Sequence, residues 1–117
     1  MTMSENKNTI QQFIEGFIIS DYEKILSCLT DNIFWEIPGV FQINGKEAFL
    51  KEFKHDYFDG SPTIKIISMI EENDMVAAEG FIQSKRKDGG FFNAVFCDVF
   101  LMNKGKIRQL TTYLIKQ

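Results

Sequence analysis

Three carboxylates stand where the apolar pattern leaves little room for charge. Glu36 lies in Phe34-Trp35-Glu36-Ile37-Pro38-Gly39, Asp98 lies between Phe96 and Phe100, and Glu79 follows Val76-Ala77-Ala78. A carboxyl removed from water loses the hydration that favours its charged form, so its pKa rises and it can hold a proton near neutral pH. Such a group donates to a carbonyl oxygen or takes a proton from the adjacent carbon, which is general acid–base chemistry. Asp98, walled by Phe96, Phe100 and Phe53, is the first candidate; the alternative is a buried acid satisfied by a backbone amide, Trp35 or Tyr57. Glu36 either faces a cavity as its partner or faces water on an edge strand. Glu79 depends on register. A two-residue turn at Asp88-Gly89 would set it opposite Asp98 on the same face, and one more turn residue would point it outward. The outward placement is expected, because like charges directly opposite destabilise a sheet unless they share a proton.

Other chemistries lack their residues. The single histidine, His55, sits between Lys54 and Asp56 and reads as an exposed helix position. Cys28 and Cys97 are far apart with no Cys-x-x-Cys spacing, so free buried thiols are expected and a zinc site is not. No phosphate-binding glycine loop, nucleophile elbow or cofactor fingerprint occurs, so no cofactor is expected. A formal net charge of -3 argues against nucleic acid, and the densest basic cluster, Lys85-Arg86-Lys87, reads as a solvated hairpin end. No apolar run reaches the ~18 residues of a membrane span, and Met1 to Asn8 is too polar for a signal peptide. A cytoplasmic protein without membrane or nucleic-acid partners is the resulting expectation.

The elements that must position the acids follow from periodicity. At 117 residues and 44% hydrophobic, the chain (1–117) fits one domain with one core. Ile10, Phe13, Ile14, Phe17 and Ile18 recur at helical spacing. Asp21 then caps a second short helix carrying Tyr22, Ile25, Leu26 and Leu29, ended by Thr30-Asp31-Asn32. A strand, Ile33 to Ile37, runs into the Pro38-Gly39 break. The third helix starts near Gly45 and presents Phe49, Phe53 and Tyr57 before Asp59-Gly60-Ser61-Pro62 stops it. Four strands follow: Thr63 to Glu72, Met75 to Lys87, Phe91 to Met102 and Lys106 to Ile115, with turns at Asn73-Asp74, Asp88-Gly89-Gly90 and Asn103-Lys104-Gly105. Segregated helices and an antiparallel sheet make an α+β domain. In the Phe91–Met102 strand both alternations, Ala94/Phe96/Asp98/Phe100 and Val95/Cys97/Val99/Leu101, are mainly apolar. Helices cover only one face, so a second copy on the other is expected, as an isologous dimer.

This layout resembles the nuclear transport factor 2-like superfamily, in its SnoaL-like branch of small cone-shaped proteins. The resemblance covers about Asn8 to Leu114. It rests on Ser20-Asp21, Trp35 to Gly39, Gly45 to Phe49, Val76 to Gly80, Cys97 to Phe100, Gly105 to Leu110 and Tyr113. It implies a curved antiparallel sheet wrapped around a pocket closed by three N-terminal helices, and a homodimer through the outer sheet face.

The superfamily's enzymes use different residues in the same cone. Ketosteroid isomerases combine a helix-one tyrosine, a base aspartate on the first strand and a protonated aspartate on the third long strand. Counted from Asp21, the tyrosine position is Phe13, which has no hydroxyl. The base position is Ile37 counted from the proline or Glu36 counted from Gly45, and Asp98 matches the protonated acid. Limonene-type epoxide hydrolases need an acid on the final strand, where this chain has Thr112, and an arginine that would fall near Gly80. Polyketide cyclases use a single acid–base aspartate, which Asp98 could supply. The resemblance also turns Leu110, Thr112 and Leu114 inward. Trp35, Phe41 and Met69 are further candidates for the wall, with Phe13, Phe17, Phe53, Tyr57, Phe96 and Phe100, though aromatics at such spacing also read as plain core.

Together these residues suggest a protein that holds a small apolar carbonyl compound, rings included. Asp98 and Glu36 would move a proton in an isomerase-, cyclase- or lyase-type step without metal or cofactor. The alternative is a non-catalytic ligand-binding or dimeric accessory protein whose acids are structural.

Overall fold

The structure, a computed structural model, describes residues 4–53 and 58–117; His55 and Tyr57 lie outside the described residues. The elements run α1 (Glu5–Ile18), α2 (Tyr22–Ser27), β1 (Leu29–Ile37), β2 (Phe41–Asn44), α3 (Lys46–Phe53), β3 (Thr63–Glu72), β4 (Met75–Lys85), β5 (Phe91–Asn103) and β6 (Lys106–Lys116). One six-stranded sheet has the order β2-β1-β6-β5-β4-β3. The helices pack on one face, so this is the expected α+β arrangement of helices against a curved sheet.

Both short helices begin where side chains can replace missing backbone acceptors. Ser4 accepts from the Lys7 amide and Asp21 from the Lys24 amide, each at 3.1 Å. Helices α1 and α2 meet at Gly16, where an added Cβ would lie 2.6 Å from Ile25 Cγ1, so only glycine allows this approach. Ile10, Phe13 and Ile14 from α1, Ile25 from α2, and Phe49 from α3 join Leu29, Ile33, Val76, Phe100, Ile107 and Leu110 in a contiguous core.

Three details of the sheet differ from expectation. Helix α2 stops at Ser27, because Leu29 is taken into the sheet beside Ile107 and the Ile107 amide donates to the Cys28 carbonyl at 2.8 Å. Thr30-Asp31-Asn32 is therefore strand. The break at Pro38-Gly39 is a hairpin turn, with Ile37 opposite Phe41, and Phe41–Asn44 forms a short edge strand. Moreover, β1 runs parallel to β6, the single parallel pairing of a sheet whose other pairings are antiparallel.

Curvature has a local cause on the far side. The β3/β4 register slips between Ile66 and Ser68, which leaves Ile67 as the extra residue of a bulge. There β3 crosses so close to β4 that a Cβ on Gly80 would stand 2.1 Å from the Lys65 carbonyl oxygen. The bulge and Gly80 together let the sheet bend toward the helices.

Candidate functional site

The β4/β5 register sets every side chain near the middle of the sheet. Ala78 pairs with Asp98 and Glu79 with Cys97, because the hairpin between Lys85 and Phe91 is longer than a two-residue turn. Asp98 therefore lies on the helix-covered inner face, and Glu79 on the outer one, as expected. Across the inner face one row reads Met69 on β3, Ala78 on β4, Asp98 on β5 and Thr112 on β6. Trp35 completes it from β1, its indole Nε1–H donating to Thr112 Oγ1 at 3.1 Å.

Aromatic rings fill one side of this row. Phe13 meets Phe100 edge-to-face at 6.0 Å and Phe17 at 5.0 Å, and Phe49 lies 4.6 Å from Trp35 and 5.2 Å from Phe53. Phe13 thus occupies the helix-one tyrosine position as core, packed against a ring two residues from Asp98. Leu110 is buried in the same cluster, with Phe17, Trp35, Phe53 and Met69 half-buried against it. On the other side Phe96 and Ala94 are buried without belonging to that cluster. Asp98 consequently sits at the boundary where the continuous core ends. Small residues face this boundary: Ala78 beside Asp98 and Gly80 beside Phe96. Leu114 pairs with Phe96 and is 38% exposed at the open end of the row.

Asp98 is 8% exposed, and its Oδ1 has no hydrogen-bond partner among the described residues. Desolvation pushes its pKa up to about 7, and the Thr112 hydroxyl, which favours the ionised form, pulls it part of the way back. An orphaned, buried carboxyl oxygen costs free energy unless a ligand satisfies it, and near pH 7 it is present both as donor and as acceptor. This is the one acid that the row brings to the inner face.

Glu36 is placed elsewhere. Its register neighbour on β6 is Thr111, which pairs with Val99 on the outer face, and its carboxylate accepts from Gln42 Nε2 at 2.8 Å. Strand alternation separates it from Asp98, since Trp35 takes the inward direction. The proposed pairing of the two acids in one cavity is therefore not what the fold supplies. Glu79 similarly accepts from Ser68 Oγ at 2.7 Å. Ala78 and Phe49 stand in the motifs that carry the family resemblance but were not expected at the site; the short side chain opposite an acid, and an aromatic one turn before Phe53, were the available signals.

A polar cleft of about 400 Å³ lies under the β5–β6 turn, away from Asp98, lined by Glu5, Thr9, Ser27, Cys28, Gly105 and Lys106 among others. Two of its polar side chains are bonded within it: Thr9 donates to the Gly105 carbonyl and Lys106 to the Ser27 carbonyl, both at 2.6 Å. Burial pushes the Cys28 thiol up, away from reactivity. Among the described residues no cluster of three potential metal ligands occurs, and no helix is long and apolar enough to cross a membrane.

The family model for the SnoaL-like domain matches residues 10–110. No curated protein matches the chain. Among solved structures, the chain is similar to an NTF2-like protein of unknown function from Burkholderia pseudomallei, at 16% identity and a TM-score of 0.89, covering 97% of this chain and 92% of that one. It is also similar to TerC co-crystallised with polyporic acid, at 22% identity and a TM-score of 0.83, covering 96% and 92%. An LEH-like epoxide hydrolase from M. tuberculosis aligns at 18% identity and a TM-score of 0.82, covering 95% and 83%. At such identities the likeness is one of fold.

Proposed function

Since this chain belongs to the SnoaL-like domain family, whose fold commonly binds small ligands and includes isomerases and cyclases, we propose that it holds a small apolar carbonyl compound against Asp98. The observation that carries this reading is Asp98 Oδ1, buried, unpartnered among the described residues, and flanked by Phe96 and Phe100. A carbonyl oxygen would accept from protonated Asp98, and the ionised form would take a proton from the carbon beside that carbonyl. One carboxyl that holds a proton near neutral pH serves both halves of such a transfer. Because Glu36 faces away, the step has a single acid–base group, which fits an isomerase-, cyclase- or lyase-type proton shift. One similar structure, TerC, was co-crystallised with polyporic acid, which supports a ligand with rings. The same site without turnover is a ligand-binding protein, and the absence of a hydroxyl at Phe13 favours that second reading for steroid-like compounds.

The test is a binding and exchange assay with cyclohex-2-enone and larger cyclic ketones, comparing wild type with Asp98→Asn. Saturable binding with exchange of the protons beside the carbonyl, both lost in Asp98→Asn, supports the enzyme. Binding without exchange supports the ligand carrier. Binding that is equal in both proteins contradicts a role for Asp98.

The outer face supports a second part of the reading, a pair of chains. Ile70 on β3, Phe81 on β4, Val95 on β5 and Tyr113 and Ile115 on β6 share that face; Ile70 is 69% and Ile115 66% exposed. Apolar surface this continuous is favourably covered by a copy of itself in an isologous dimer. A cytoplasmic setting accords with Cys28 and Cys97, which are both free thiols.

A further inference from the structure

Thr112 stands between Asp98 and Trp35 in the inner-face row, and its hydrogen bonding is polarised. The Trp35 indole is a donor only, so the 3.1 Å contact to Thr112 Oγ1 uses a lone pair of that oxygen. The hydroxyl's own proton then remains for another acceptor, and the side chain directly across the strand pair is Asp98. Both residues are buried, Thr112 at 9% and Asp98 at 8% exposure. The indole fixes one side of this buried oxygen, and the hydroxyl lowers the Asp98 pKa as a hydrogen-bond donor does. It occupies one side of the carboxyl, while Oδ1 stays unpartnered among the described residues.

We propose that Thr112 is a positioning residue: held by the Trp35 indole, it presents its proton to one side of the Asp98 carboxyl and leaves Oδ1 as the oxygen that meets the bound compound. This rests on the reading of Asp98 as the ligand-facing group. The consequence is a fixed direction for proton transfer. When Asp98 is neutral, its proton resides on Oδ1, since the other oxygen is already accepting; when it ionises, Thr112 stabilises the charge. Trp35 thereby acts on Asp98 through an intermediary, without touching the ligand. Along its row, among the described residues, no other side chain titrates. From the packed elements Asp98 is faced by Met69, Ala78, Phe96 and Phe100, none of which titrates, and the nearest titratable chain neighbours, Cys97 and Glu79, stand on the opposite face. Burial raises the Cys97 thiol, and the charges of Asp98 and Glu79 add to that.

The chain has one tryptophan, so a single indole N–H resonance reports on this contact. Its position is followed against pH in wild type, Thr112→Val, Thr112→Ser and Asp98→Asn, with folding checked by the amide spectrum. The expected result is a single titration step in wild type that Asp98→Asn abolishes, Thr112→Val abolishes and Thr112→Ser restores. Thr112→Ser keeps the hydroxyl and so serves if Thr112→Val fails to fold. An indole signal that titrates equally well in Thr112→Val, or one that is flat in wild type, overturns the positioning role. Those outcomes leave the ketone-binding comparison of wild type and Asp98→Asn untouched, so failure here is distinct from failure of the ligand-facing role of Asp98.

Discussion

The two faces of one sheet give their carboxylates opposite fates. On the outer face Glu36 and Glu79 sit in solvent reach and each accepts from a neighbouring polar side chain, Gln42 and Ser68. On the inner face Asp98 is buried, and its Oδ1 has no partner among the described residues. The residues are one pleat apart: Glu79 pairs with Cys97, and Cys97 precedes Asp98. A single step along a strand therefore separates an exposed, hydrogen-bonded carboxyl from a buried one, and the register of one hairpin decides which is which. The protein places chemistry by alternation.

That contrast can be broken most severely through the rings that shut the inner face. Phe100→Ala removes a fully buried ring in contact with Phe13 and is expected to cost about 3–5 kcal/mol in urea unfolding. The next largest effect is a pH slope. Asp98 ionises near 3.8 in the unfolded chain and about 7 in the folded one. Below both values each state holds the proton and stability is highest. Between them only the unfolded state ionises, so stability falls as pH rises and levels off above about 7, after a loss on the order of 4 kcal/mol. Denaturant midpoints from pH 3 to 9 should show this fall in wild type and not in Asp98→Asn.

The outer face yields smaller, intermolecular effects. Tyr113→Lys, at a position 52% exposed in the single chain, should weaken self-association by at least about tenfold in sedimentation, while the chain keeps its fold. Smallest of all, Glu36→Gln and Glu79→Gln should change stability by no more than about 0.5 kcal/mol and leave binding of cyclic ketones unaltered. A Glu36→Gln variant that abolished exchange would break the comparison outright.

How much of this the sequence carried varies with distance along the chain. The long strands β3 to β6 and the Asp21 cap were legible because period and turn residues act locally. Strand β2 was not, since four residues with two apolar positions carry too little pattern. Leu29 read as helix because its fate depends on pairing with Ile107, far away in the chain. Asp98 was legible as an inward acid from Phe96 and Phe100 on either side. The direction of Glu36 was not, because its apolar neighbours Phe34, Trp35 and Ile37 mark no single face. The bond from Trp35 to Thr112 joins strands whose parallel pairing no local signal announces.

The most direct measurement is the carboxyl 13C titration of Asp98. A midpoint near 7 is the result expected if the inner face holds a proton for a bound carbonyl compound. A midpoint for Asp98 in the ordinary carboxylate range, about 4, would contradict it.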